Sequence, residues 1–206
     1  SIDDQGVRPM LALRRSRRRF ALPALTVLLA AFILAACTGP GSYRTVRGGM
    51  SDPGNFVRDY LQYAGREGPV LVEVPAGAMG LTGRQLAPRV ADMISGSVFG
   101  MTTQFTADRT AVREPNWRII FLFNNALNIR GDEVCAGEVR QNTGKPSMNS
   151  LAVFCHRDRL YASVSGYAES FGGVDDPAFR AYARQLVDEL FPRNSDEMLR
   201  LGGWDD

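Results

Sequence analysis

Along residues 53–192 the apolar positions change period several times, and each change marks an element. Phe56, Tyr60, Leu61 and Ala64 recur at helical spacing after Asp52-Pro53, which predicts a helix over 53–65 that ends at Gly65. Val70 to Val74 is a strand stopped by Pro75. A loop with Gly77, Gly80 and Gly83 follows. Leu86, Val90, Met93, Ile94 and Val98 then share one helical face, predicting a helix over about 86–98 with Pro88 in its opening turn and Gly100 after its end. Thr102 to Thr106 reads as a short strand. Trp117 to Phe123 is apolar on both faces for most of its length, the pattern of a central strand. After a turn at Gly131-Asp132, residues 133–140, 150–156 and 159–165 read as three more strands. Asp175-Asp176-Pro177 opens a last helix, with Phe179, Tyr182, Ala183, Leu186, Val187 and Leu190 as its buried stripe and Phe191-Pro192 as its end. Arg184 and Asp188 can pair on its outer face.

The order α-β-α-β-β-β-β-β-α predicts an α+β fold: a largely antiparallel sheet of about 5–6 strands with helices packed on one face. Residues 38–52, rich in Gly, Ser, Pro and Arg, read as a flexible linker, and residues 193–206 as a loose tail. The single domain between them, 53–192, is long enough to bury a real core.

The cysteines give a register test. If Cys135 faces Cys155 across an antiparallel pair, Gly137 faces Val153, Val139 faces Leu151, and Glu133 meets Arg157. A tight turn at Arg157-Asp158 would set His156 against Arg159, Phe154 against Tyr161 and Ala152 against Ser163. Leu160, Ala162 and Val164 would then join the cysteine face, and that face should meet the helices.

The first 37 residues follow a different logic. Arg14, Arg15, Arg17, Arg18 and Arg19 precede an apolar run from Phe20 to Ala36, interrupted only by Pro23 and Thr26, and small residues lead to Cys37. A positive block, an apolar stretch and a small-residue cut site make a secretory signal, here residues 1–36, with residues 1–9 lying before Met10 as an expected misplaced start. Leu34-Ala35-Ala36-Cys37 resembles the lipobox of bacterial lipoproteins. The resemblance implies a diacylglyceryl group on Cys37, cleavage before it, and a membrane partner held through that lipid. Ser16-Arg17-Arg18-Arg19-Phe20 resembles the twin-arginine export motif. Thr38, where an Asp would retain an enterobacterial-type lipoprotein in the inner membrane, implies an outer-membrane address on the periplasmic side.

Removing that signal changes the charge picture. The chain carries a net +2, but residues 1–37 hold six arginines and two aspartates, so the remainder is net −2. A nucleic-acid partner is not expected of a domain with no basic excess. With Cys37 assigned to lipid, Cys135 and Cys155 remain. In an oxidising compartment they are expected to form a disulfide. The rival reading is a metal or redox pair, but there is no Cys-x-x-Cys and His156 is the sole histidine, so no metal or other cofactor is expected.

Catalytic motifs are sparse. His156 reads either as a general base with Asp158 as orienter and Ser163 or Ser165 as nucleophile, or, more plainly, as a surface histidine at a turn. The Gly77–Gly83 stretch before a helix reads as an anion site or an ordinary connection. The charged loop from Asp108 to Asn116, with Arg109, Arg113 and Glu114, is a candidate partner contact. So are His156 and the aromatic pair Phe154 and Tyr161, on a sheet face that either receives a partner or is covered by the first helix. The layout of lipid tether and small domain resembles envelope assembly lipoproteins, such as activators of cell-wall synthases and secretin pilots. It implies a non-catalytic adaptor that meets an envelope protein or peptidoglycan. The alternatives are a cell-wall or lipid hydrolase, and a small-ligand or lipid carrier with an apolar cavity between sheet and helices.

Overall fold

A computed structural model describes residues 42–50, 56–142 and 147–193. The expected signal peptide, the expected lipid attachment at Cys37 and the tail over 194–206 lie outside the described residues. The elements run β1 (Tyr43–Met50), α1 (Phe56–Ala64), β2 (Val70–Glu73), α2 (Gly83–Ile94), β3 (Phe105–Thr106), β4 (Trp117–Phe123), α3 (Gly131–Cys135), β5 (Met148–His156), β6 (Arg159–Ala168) and α4 (Pro177–Leu190). The strands form one sheet in the order β1-β6-β5-β4-β2-β3. Strands β1, β6, β5 and β4 pair antiparallel, and β2 is parallel to both β4 and β3. The fold is therefore α+β with a mostly antiparallel sheet.

Strand β4 sits in the interior of the sheet, as its two-sided apolar pattern requires. Ile119, Phe121 and Phe123 point to one face, where Val57 and Leu61 of α1, Leu86, Val90 and Ile94 of α2, and Phe179, Tyr182 and Leu186 of α4 close the main core. Ile120 and Leu122 point to the other face. There they join Leu151, Val153 and Cys155 in a smaller cluster covered by Ile129, Val134 and Cys135. The three long helices thus lie on one face and the short α3 on the other. The main core is dense in aromatic rings, and truncating a fully buried one such as Phe154 to alanine would cost about 3–5 kcal/mol.

Local chemistry sets the helix ends. Asp176 caps α4 by accepting from the Ala178 amide at 2.8 Å, with Pro177 at the first helical position. Thr82 and Gln85 make a capping box. The Thr82 hydroxyl accepts from the Gln85 amide at 3.3 Å, and the Gln85 side chain accepts from the Thr82 amide at 3.0 Å. That box starts α2 at Gly83, three residues before the apolar stripe begins, and Pro88 stands inside the helix rather than in its first turn.

Several sequence expectations need correction. Residues 43–50, read as part of the linker, form β1, which pairs with β6 from Tyr43↔Ala168 to Met50↔Ala162. The reason is a short alternation: Thr45 and Arg47 bond Gln185 and Glu189 of α4, and β6 would otherwise expose its polar backbone along a whole edge. Residues 133–140, read as a strand, hold α3 and the loop after it. Asp132 and Glu133 occupy the first turn of α3, where carboxylates are favoured, and the Glu133 carboxylate accepts from the Arg130 amide at 2.7 Å. The proposed hairpin between 133–140 and β5 therefore does not exist, and Glu133 meets Arg140 at 2.7 Å instead of Arg157.

The second hairpin starts in the expected register, with His156↔Arg159, then shifts at a bulge so that Phe154 pairs with Ala162 and Ala152 with Val164. As a result Ala162 and Val164 join Tyr161 in the main core, and the cysteine face carries only the smaller cluster. Arg184 does not reach for Asp188 but donates to the Met93 carbonyl at 2.8 Å, joining α4 to α2.

Candidate functional site

Cys135 and Cys155 form a disulfide, with their Cα atoms 5.7 Å apart. It joins the end of α3 to β5. Beside it Arg118 donates to the Cys135 carbonyl at 3.0 Å and meets Glu73 at 3.1 Å, and Arg109 meets the same carboxylate at 3.0 Å. Arg109 is thus engaged in a bridge that ties the 108–116 loop to the cysteine face.

The other candidate residues gather where β4 begins and β5 ends. Pairing sets Trp117 against His156, and their rings stack with centroids 4.5 Å apart. From α1, Tyr60 stacks on Trp117 at 5.3 Å and meets Tyr161 edge-on at 4.8 Å. The Arg159 guanidinium lies 5.0 Å from the Tyr161 ring centre. Alongside, Arg66 covers the exposed Tyr63 ring at 4.3 Å, and the Glu114 carboxylate faces both, 3.5 Å from the Tyr63 hydroxyl and 3.8 Å from Arg66. The hairpin turn closes this end. Arg157 takes a positive φ of 57°, and its amide donates to the Asn116 carbonyl at 2.9 Å.

The structure therefore brings Glu114, His156 and Tyr161 into one neighbourhood, with the exposed Arg113 on the same loop as Glu114. Phe154 does not belong to any accessible surface: it is fully buried under Trp117 and Phe191. Tyr161 is buried too and shows only its margin. As surface contacts these two are corrected, because α1 and the end of α4 cover the sheet face they occupy. Sequence reasoning missed Tyr63, Arg66 and Trp117. The available signal was the pair Tyr60 and Tyr63, which puts an aromatic ring on the polar side of α1.

Burial, chiefly, and the nearby Arg157 push the His156 imidazole below its ordinary pKa, with Glu114 pulling the other way. The register keeps Ser163 beside Val153, three residues from His156 along the sheet, or about 10 Å. A nucleophile–base contact between them is not formed. Trp117 and Tyr161 are buried, so what reaches the surface here is Tyr63 with Arg66 and Arg159 and part of the His156 ring, and tyrosine and arginine are the residue types enriched at interface hot spots. Among the described residues no group of three or more His, Cys, Asp or Glu is placed to hold a metal ion.

A cleft of about 590 Å³ opens elsewhere, at the end of α4. It is lined by Arg47, Phe99, Asp188, Glu189, Phe191 and Arg193. Its walls carry an Arg47–Glu189 ion pair at 2.7 Å and an Arg193 guanidinium over the Phe99 ring. Desolvation raises the Asp188 carboxyl above its usual range. The buried Arg58 braces this region by donating to the Phe191 and Phe99 carbonyls at 3.1 and 2.6 Å.

No family model matches the chain, and no curated protein matches it. Among solved structures it is similar to two PelC dodecamers from Paraburkholderia phytofirmans, one of them a point variant, each at 12% identity and covering 74% of this chain. They are covered over 100% and 99% of their own length, with TM-scores of 0.37 and 0.36. A likeness at such TM-scores carries no argument about this chain. No described helix is long and apolar enough to cross a membrane.

Proposed function

We propose that this chain is a lipid-anchored periplasmic lipoprotein that acts as a non-catalytic adaptor or assembly factor of the cell envelope, on the outer membrane. The observation that carries the proposal is the Cys135–Cys155 disulfide in the domain that follows the lipobox-like Leu34-Ala35-Ala36-Cys37. Structural disulfides belong to oxidising compartments, and one cysteine outside the pair stands where acylation is expected. Export and anchoring thus draw support from separate parts of the chain. The adaptor role draws on the aromatic and arginine-rich end of the sheet, where Tyr63, Arg66, His156 and Arg159 present an envelope protein with rings and guanidinium groups.

Two measurements test this. Intact mass of protein purified from membranes should show cleavage before Cys37 with acyl chains added, and Cys37→Ala should move the protein out of the membrane fraction. Crosslinking in intact cells followed by affinity purification should recover an envelope partner that Tyr63→Ala with Arg66→Ala loses. An unprocessed N-terminus overturns the anchor, and a processed protein with no stable partner overturns the adaptor role.

A further inference from the structure

We propose that the disulfide-bearing face of the sheet, at its Tyr43 end, lies against the glycerophospholipid surface, with Val46, Leu127 and Val139 as its apolar contacts; this rests on the acylation of Cys37 proposed above. Five residues separate Cys37 from Tyr43. Six extended steps span at most about 20 Å. Strand β6 runs for ten residues from Arg159, beside the hairpin turn, to Ala168, the partner of Tyr43. At roughly 3.3 Å per residue that is about 33 Å. A domain standing on its Arg157-Asp158 turn would hold Tyr43 farther from the bilayer than the tether can reach. The lipid surface therefore meets the domain at the Tyr43 end or along a side adjoining it.

Exposed apolar residues select the side. Val46, three residues from Tyr43, is 63% exposed, and it faces away from α4 because Thr45 and Arg47 on either side of it bond α4 residues. Leu127 is 75% exposed and stands near the same end. Its level follows from the Asn125 amide, which donates to the Asn149 carbonyl at 3.3 Å; Asn149 pairs with Tyr167, and Tyr167 with Arg44. The Ala126 amide donates to the Arg140 carbonyl, which brings the 43%-exposed Val139 to the neighbouring strand of chain. The other large apolar residues exposed among those described, Phe56, Tyr63 and Phe99, lie on or near the long helices of the opposite face. Next to Val46, the Arg44 guanidinium sits 5.3 Å from the Tyr167 ring centre. A tyrosine ring and an arginine that can extend its charged head to phosphate are the side chains that suit the headgroup layer.

The test uses the full-length lipidated protein in vesicles of phosphatidylethanolamine and phosphatidylglycerol that carry a nitroxide quencher near the headgroups. A fluorophore is attached through Leu127→Cys or Val46→Cys, with Tyr63→Cys as the label on the opposite face. Quenching several-fold stronger at 127 and 46 than at 63 is the expected result. Equal quenching at the three sites, or the strongest quenching at 63, overturns the orientation. Intact mass of the same samples separates the two proposals: a missing acyl group refutes the lipoprotein reading, whereas acylated protein with an unquenched label at 127 refutes only the orientation.

Discussion

Breaking the Cys135–Cys155 bridge should lower stability by an amount that can be worked out beforehand. The two cysteines are 20 positions apart, and the bridge restricts that stretch of the unfolded chain. In the chain-entropy account a loop of this size contributes about 3 kcal/mol. For a domain of this length each kcal/mol moves Tm by about 2–4 °C, so reduction should lower Tm by roughly 6–12 °C. The loss should not be spread evenly. Helix α3 has five residues, too few to hold as an isolated helix, and the bridge is one of its main ties to β5. Thermal melts followed by circular dichroism, with and without dithiothreitol, give the total. Hydrogen exchange gives the distribution, and amides of residues 131–136 should lose protection before those of β4. A change in Tm of less than about 2 °C on complete reduction would refute the entropic reasoning. Unchanged exchange in α3 would refute the claim that the bridge holds it.

Gly166 leaves the space that the Tyr182 hydroxyl occupies, and a β-carbon there would overlap that hydroxyl and crowd Leu186. Gly166→Ala should therefore destabilise by about 2 kcal/mol or more in urea unfolding, and adding Tyr182→Phe should recover part of the loss; strict additivity of the two would sink this account. Tyr182 itself is pushed up to about 12 by burial, so its phenol should stay un-ionised in a spectrophotometric titration until the fold is lost. Thr82→Ala removes the capping oxygen of α2 and should cost about 1 kcal/mol, checked by chemical denaturation. His156 is held below its unfolded pKa, so the fold favours the neutral ring: stability is complete above the unfolded value and falls as pH drops through it towards the folded one. Unfolding free energies compared between about pH 7.5 and about pH 5 should show a decline that His156→Gln reduces, and an equal decline in both proteins would contradict it.

Much of the domain was legible because its elements carry strong periods. Strands β2 and β4, the α4 stripe with its Asp176 cap, and the Arg157-Asp158 turn all fall where their residues put them. The disulfide was legible from cysteine arithmetic, yet the hairpin built to explain it was not. Cys135 reaches Cys155 from a helix, and pairing of two sulfurs does not reveal the backbone that brings them together. Strand β1 was hidden by composition, since its glycines and arginines look like a tether until an open edge of β6 is available to receive them. The aromatic site depends on the helices that cover its sheet face, α1 above all, and the bulge that brings Ala162 and Val164 to that face has no local mark in the sequence. Within that site Glu114 and His156 were visible as charged loop and turn residues, whereas Trp117 and Tyr63 become neighbours only through packing.

Strand β1 also decides how the domain would bear a load. Its first residue, Tyr43, pairs with Ala168, and the pairing runs back along β6 towards the centre of the sheet. A pull on the N-terminal side along the strand axis strains that row of hydrogen bonds together, in shear. A pull across the sheet opens them one at a time from Tyr43, like a zipper. An anchored molecule of this design would resist being dragged along its membrane far better than being peeled from it.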